Sequence, residues 1–160
     1  MKISPFLWFD RQAEEAANFY TGIFPNSKII SISRYPDAGQ EIHGKPAGSV
    51  MVVAFELNGH SVTALNGGPQ FKFTEAISLQ IDCATQEEID YYWDKLSEPP
   101  GTPSQCGWLR DKYGLSWQVG PKILPDLLTA DDPAAVRRTF EAILQMTKLD
   151  ITALQRAFEG

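Results

Sequence analysis

Cysteine and histidine are scarce in this chain of 160 residues, with two of each. Cys83 and Cys106 stand 23 positions apart without a C-x-x-C spacing. That is too few for a disulfide framework and wrongly spaced for a structural zinc site, so both read as reduced core thiols. Basic runs are also lacking: 14 Lys and Arg stand against 20 Asp and Glu, for a net charge of −6 and a sequence pI near 4.9. Without a Lys/Arg-rich segment the electrostatic footprint of a nucleic-acid binder is missing, and nucleic acid is set aside as a partner. Long apolar runs are absent too. The longest, such as residues 50–55, fall far short of the ~20 needed to cross a bilayer. MKISPFLWFD at the start has neither a signal h-region nor a cleavage site. The expectation is a cytoplasmic protein with no membrane partner.

What is present suffices for a core. At 43% hydrophobic and 21% charged residues, a chain of this length is expected to fold as one domain, 1–160, or as a fused pair of small modules. Such a fold buries roughly 70% of its unfolded surface.

Residues 3–9 form a β-type apolar run that stops at Asp10. Over residues 12–24 the period becomes helical, with Ala13, Ala16, Ala17, Tyr20, Ile23 and Phe24 on one side. Residues 28–35 alternate Ile30 and Ile32 with Ser31 and Ser33 and read as a strand. Residues 36–48, with their prolines, glycines and His43, read as a loop. Residues 50–57 and 60–65 make a hairpin about Asn58-Gly59, and Asn66-Gly67-Gly68-Pro69 breaks the chain.

The second half repeats that order. Residues 77–82 are an apolar strand ending in Asp82, and Thr85-Gln86-Glu87-Glu88 is a capping box. The helix it opens carries Ile89, Tyr92, Trp93 and Leu96 as a buried stripe. After a loop at residues 98–104 comes a hairpin over 105–121: Trp108 and Leu109, a turn at Tyr113-Gly114, then a strand through Val119. Superposing the halves at an offset of 72 places Asp10 on Asp82 and Phe19-Tyr20 on Tyr91-Tyr92. Each half therefore reads β-α-β-β-β, so the expected fold is α+β, with a first module at 1–69, a second at 70–121 and a helical tail at 122–160. In the tail, Asp132-Pro133 starts one helix and Asp150 caps a last short one. The tail's apolar residues, Val136, Phe140, Ile143, Leu144, Leu149, Leu154 and Phe158, need cover from their own sheet or from a second subunit.

The alternation assigns strand faces. Ile77, Leu79 and Ile81 face the second helix, leaving Ala76, Ser78 and Gln80 opposite; the same offset puts Leu7 and Phe9 under the first helix and leaves Ser4, Phe6 and Trp8 opposite. On the last strand Trp117 and Val119 join the core, and Ser116 and Gln118 stay on the open side.

Together with this repeat, the segments PFLWFD, AEEAANFY, ALNGGP, DYYW, CGWLRDKYGLSWQ and LQMTKLDITALQ resemble the PhnB-like branch of the vicinal oxygen chelate superfamily. That is the fold of glyoxalase I, bleomycin-resistance proteins and extradiol dioxygenases, and members of the branch often carry the name 3-demethylubiquinone-9 3-methyltransferase. The resemblance implies a curved mixed sheet around a cup, built from both modules, and a homodimer. The superfamily's four metal-ligand positions would fall on Ser4, about Thr63, Ala76 and Gln118. None offers imidazole or carboxylate, so neither a metal nor another cofactor is expected. No glycine-rich strand-to-helix turn for a nucleotide-like methyl donor is present.

The candidate cup residues are Phe6, Trp8, Gln80, Trp108 and Gln118. Each has a plainer reading as well. Gln118 could orient a ligand or satisfy a backbone group or Ser116, and Phe6, Trp8 and Trp108 could stack on a planar ligand or simply pack. Cys106 has no base near it in sequence and reads as a buried thiol. Arg110-Asp111-Lys112 reads as a solvated turn, His43 as an exposed loop residue, and Asp10 and Asp82 as caps for the helices that follow. Two functions stand side by side: a metal-independent binding protein for a small, partly aromatic molecule, and an enzyme on the same scaffold, whether an isomerase, lyase or oxygenase with an unusual metal site or a methyltransferase.

Overall fold

The computed structural model describes all residues, 1–160, in two units, Met1–Phe73 and Thr74–Gly160. In the first, the chain runs β1 (Phe6–Phe9), α1 (Ala13–Ile23), β2 (Lys28–Arg34), α2 (Gln40–His43), β3 (Val50–Leu57) and β4 (His60–Asn66). The sheet order is β1-β4-β3-β2, with β1 parallel to β4 and the other pairs antiparallel. Asn58 and Gly59, at φ 47° and 81°, make the two-residue turn of the β3–β4 hairpin that N-G predicts. Period-two alternation buries Val53, Phe55 and Leu57 on β3 and Val62 and Ala64 on β4. Against them α1 sets Ala13, Ala16, Ala17, Tyr20 and Ile23. Its alanines let the helix lie close, and Tyr20 stacks on Phe55 with ring centroids 6.3 Å apart.

Two features differ from the sequence reading. The first strand begins at Phe6 rather than residue 3, because Pro5 has no N–H for the ladder and contributes only its carbonyl, which accepts from Thr63 N at 3.1 Å. On β2, the edge strand, a register shift falls between Ile29 and Ser31, and Ile30 and Ile32 are both exposed.

The second unit runs β5 (Leu79–Cys83), α3 (Gln86–Leu96), β6 (Thr102–Pro103), β7 (Trp108–Arg110), β8 (Ser116–Pro121), α4 (Leu124–Leu128), α5 (Pro133–Leu144) and α6 (Ile151–Glu159). The order β5-β8-β7-β6, with β5 parallel to β8, copies the first sheet. The fold is thus α+β, with two open four-stranded mixed sheets, each carrying its helix on one face. Ile77 is an exception to the expected faces. It lies ahead of β5 and is exposed, since pairing with β8 begins only at Leu79.

The helix caps fall elsewhere than on the two aspartates. Thr85 Oγ1 accepts from Glu88 N, while Ala84 N donates to Glu88 Oε2 at 2.6 Å, the reciprocal pattern of a capping box shifted back by one residue. Asp82 instead accepts from Gln80 Nε2 at 2.7 Å. In the first unit Asp10 stands two residues before the N-cap, Gln12, too far out to reach the first turn. Asn66, 53 residues further along the chain, does the work: its Oδ1 accepts from Ala13 N at 2.8 Å, and its Nδ2 donates to Val50 O at 3.1 Å. The backbone carbonyl of Asn66 accepts from the Tyr35 hydroxyl at 2.8 Å. The chain-breaking word ALNGGP is therefore also what ties β4 to the start of α1.

The helical tail covers its own unit. Leu127, Ile143, Leu149 and Leu154 form a core to which Met146 and Phe158 add, whereas Phe140 and Leu144 stay exposed. Between α5 and α6 the chain runs beside the start of the 105–121 hairpin, where Cys106 N donates to Met146 O and Gly107 N to Thr147 O, both at 2.8 Å. Cys106 and Gly107 are both left-handed, at φ 60° and 82°. A Cβ on Gly107 would lie 2.7 Å from Val119 O, so only glycine fits there. The Gln86 side chain adds a clasp on the other side, donating to Leu149 O at 3.1 Å and accepting from Ile151 N at 2.9 Å.

Candidate functional site

In the second unit, strand register brings three of the expected residues into one row. Gln80 on β5 pairs with Gln118 on β8, which pairs with Trp108 on β7. Their neighbours Leu79, Ile81, Leu109, Trp117 and Val119 point to the helix side, so the row lies on the face away from α3. Gln118 Nε2 donates to Ser78 Oγ at 2.8 Å, which fixes the amide and leaves its carbonyl oxygen directed elsewhere. Its partner is Ser78, and Ser116, the neighbour weighed from sequence, is not used. The Ser116 hydroxyl is buried and has no hydrogen-bond partner. Buried hydroxyls are nearly always paired, by protein or by water.

Ser116 lines a groove of about 420 Å³ whose other walls include Trp108, Arg110, Cys106, Thr102 and Glu75. Arg110 Nε lies 3.4 Å from Glu75 Oε1, with both side chains half or more exposed. Cys106, expected to be core, is only half-buried here: it packs against the tail's cluster of Leu127, Ile143, Leu149 and Leu154 and also forms part of the groove wall. Cys83 is the buried one, and burial pushes its thiol up to about 12, with Glu88 and Asp82 adding to the effect.

The turn before β8 is not solvated as its composition suggests. Asp111 is 3% exposed, and its carboxylate accepts from Tyr113 N at 2.8 Å, Leu115 N at 3.1 Å and Trp117 Nε1 at 2.8 Å. It is the internal brace of the hairpin: it fixes the turn and the core face of β8, and thereby the angle at which Ser116 and Gln118 leave the other face. Sequence reasoning missed it because a charged residue between Arg110 and Lys112 looks like surface. The signal was the indole at Trp117, which needs an acceptor once buried.

In the first unit Phe6 and Trp8 share the face away from α1, opposite Thr63 and Leu65 of β4. Phe6 is 62% exposed. Trp8 is fixed: its Nε1 donates to Gly68 O at 2.8 Å, Phe71 meets it edge-on at 4.9 Å, and the ring lies so close over Gly67 that a Cβ there would stand 2.2 Å from Cζ2. A second groove, of about 550 Å³, has Asp10, Arg11, Glu14, Lys45, Ser49 and Asn66 among its walls. Sequence reasoning did not find it, since its members come from four separate segments. His43 lies near it in sequence but is occupied, with Nδ1 accepting from Lys45 N, Nε2 bonded to Ala38 O (both at 3.0 Å) and the ring 4.6 Å from that of Tyr35. Neither ring nitrogen is left to act as a loop base.

The four superfamily metal positions can be judged on their chemistry. Ser4 is an exposed hydroxyl ahead of β1, Thr63 a hydroxyl on β4, Ala76 a methyl group in a turn, and Gln118 an amide already bonded to Ser78. That donor set does not suit a divalent cation. No three His, Cys, Asp or Glu side chains come together elsewhere, and no helix is long and apolar enough to cross a membrane. Neither strand-to-helix turn, 10–12 or 84–85, contains glycine, so neither is the glycine-rich turn that binds a nucleotide-like methyl donor.

Two β-α-β-β-β units, each with a helix on one face and an open opposite face, define a protein of the vicinal oxygen chelate type. Residues 1–120 match the family described as 3-demethylubiquinone-9 3-methyltransferase, and the chain belongs to that family. A solved PhnB protein from Bacillus cereus, which carries the same methyltransferase description, is 41% identical over 74% of this chain and 97% of its own, with a TM-score of 0.65. Protein PA1353 from Pseudomonas aeruginosa shares the fold at 16% identity, over 73% of this chain and 94% of its own, with a TM-score of 0.58. A glyoxylase/bleomycin resistance protein/dioxygenase domain from Frankia sp. EAN1pec aligns over 73% of this chain and 88% of its own at 14% identity, with a TM-score of only 0.44. No curated protein matches the chain.

Proposed function

We propose that the protein binds a small, partly aromatic or apolar molecule on the open face of its second sheet and does so without a metal or other cofactor. The observation that carries this reading is the row Gln80–Gln118–Trp108, with a fixed amide in its centre and an unsatisfied buried hydroxyl, Ser116, beside it. Phe6 and Trp8 give the open face of the first sheet an aromatic surface of its own, a second candidate place for such a molecule. Pockets of this kind combine apolar walls with a few placed polar groups. The reading includes the homodimer and the cytoplasmic setting that the family resemblance implies. Thermal denaturation and Trp fluorescence with a panel of planar aromatic compounds test it. A ligand should raise Tm and quench fluorescence, and chelator should leave the response unchanged. Silence across the panel, or loss of the response on chelation, would overturn it.

The second reading is enzymatic and rests on the description of the matched family and of the Bacillus cereus relative as methyltransferases. Calorimetric titration with a nucleotide-like methyl donor decides it: saturable binding favours transfer, and no heat removes it. For the assembly, sedimentation of the full chain should give twice the 17.8 kDa of one copy.

A further inference from the structure

The groove in the second unit holds one cation, one orphan hydroxyl and one indole on adjacent strands. Arg110 and Ser116 are direct cross-strand partners, and Trp108 precedes Arg110 by two residues on the same face of β7. Directly opposed residues keep their Cβ atoms about 5 Å apart, so a guanidinium and a hydroxyl from this pair can reach the same small group. Ser116 is 1% exposed and its Oγ has no partner, although every other polar side-chain atom buried to that degree, apart from Asp10 Oδ1, has one.

From this geometry we infer that the groove recognises the carboxylate of a small planar acid. Arg110 takes one edge of the carboxylate, the Ser116 hydroxyl donates to an oxygen of it, and Trp108 lies along the apolar body. The inference deepens the small-molecule reading above and rests on it. Three points favour a carboxylate over other polar groups. A guanidinium presents a planar fork that matches two carboxylate oxygens. The free chain already puts a carboxylate at this position, since Glu75 Oε1 lies 3.4 Å from Arg110 Nε and stands in for the ligand's acid. That contact is single and exposed, the kind of surface pair that parts at little cost, so Glu75 can yield to a ligand that brings a second hydrogen bond from Ser116.

The test compares benzoate with benzamide, which share shape but not charge, by two-dimensional amide NMR titration of the full chain. Benzoate should shift the resonances of residues 102–118 and bind about tenfold more tightly than benzamide, the difference expected for a charge-assisted pair. Arg110→Gln should abolish that preference by weakening benzoate far more than benzamide. Glu75→Gln should tighten benzoate several-fold by removing the internal competitor. Ser116→Ala should weaken benzoate yet leave Tm unchanged or raised, because it removes an unsatisfied buried hydroxyl; a residue kept for structure would lower Tm. Equal affinity for benzoate and benzamide, or benzoate binding that survives Arg110→Gln, would overturn the inference and leave the broader binding reading standing. Failure of benzoate to bind at all also overturns it, while the neutral planar panel separately decides that broader reading.

Discussion

Replacing Asp111 by Asn alters the hairpin by little more than a hydrogen-bonding sign. The carboxylate accepts three N–H groups, with Oδ1 serving Tyr113 N and Leu115 N and Oδ2 serving Trp117 Nε1 at 2.8 Å. In Asp111→Asn one oxygen can still serve the two backbone groups, but the amide nitrogen then confronts the indole N–H, donor against donor, at a residue only 3% exposed. Leaving a buried donor unsatisfied costs about 1–3 kcal/mol. Losing the charge on the remaining acceptor weakens two further bonds, so a total of about 2–4 kcal/mol is expected. In a chain of this size that lowers Tm by about 5–15 °C. Asp111→Ala, which strands all three donors, should cost more, about 3–6 kcal/mol by the same reckoning. Urea unfolding followed by far-ultraviolet circular dichroism measures both. The decisive assay is a double-mutant cycle. Trp117→Phe removes the opposing donor, so the Asn substitution should cost at least about 1 kcal/mol less in the Trp117→Phe background than in the wild type. A cost below about 0.5 kcal/mol for Asp111→Asn, or zero coupling with Trp117, would refute the assignment of Asp111 as an internal brace.

Other outcomes follow from the same geometry. Gly67→Ala should displace the Trp8 indole, whose Cζ2 would lie 2.2 Å from the new Cβ, destabilising the protein by about 1–3 kcal/mol and changing its Trp emission. In native protein near pH 8 a thiol reagent should modify half-buried Cys106 but not Cys83, with both reacting in denaturant; two native equivalents would contradict the buried, raised thiol at Cys83. Because burial raises that thiol from 9.0 to about 12, its contribution to stability is complete below pH 9 and is lost as pH rises from there toward 12, so Cys83→Ala should flatten the alkaline limb of the stability profile. Asp90 is held below the usual carboxylate range by hydrogen bonds from Lys148 and Gln86. Its contribution is therefore present above its unfolded value and lost as pH falls through the lower folded value, and Asp90→Asn should blunt the acid limb; an unchanged acid limb would show the 2.7 Å pair with Lys148 to be idle.

The sequence carried the repeat because both halves obey the same alternation. Leu7 and Phe9 on one side, and Leu79, Ile81 and Cys83 on the other, are spaced by the pleat and need no tertiary information. The row Gln80–Gln118–Trp108 was legible for the same reason, since once the core face is known the other face follows by elimination. What could not be read were features made by residues distant in sequence. Asn66 caps a helix that starts 53 positions earlier, displacing Asp10 from the role that local spacing suggests. The Asp111 brace depends on the indole six residues on being folded inward. Gln118 bonds Ser78, which lies ahead of β5 and 40 residues away, rather than the neighbouring Ser116. Ile30 and Ile32 keep their apolar pattern but lie exposed on an edge strand with a register shift, which alternation alone does not reveal.

The family match spans residues 1–120, and the folding of the second unit extends beyond it. The amides of Cys106 and Gly107 end on Met146 and Thr147, Leu149 packs over Gly107, and Gln86 holds the chain on both sides of Asp150. The two halves, alike in plan, are not closed in the same way. The first half closes on its own residues through Asn66. The second closes through the tail: Gly107 and Gln86 are the residues whose side chains, absent or present, the contact with 146–151 constrains, so the tail sets a condition on the sequence of the module beside it.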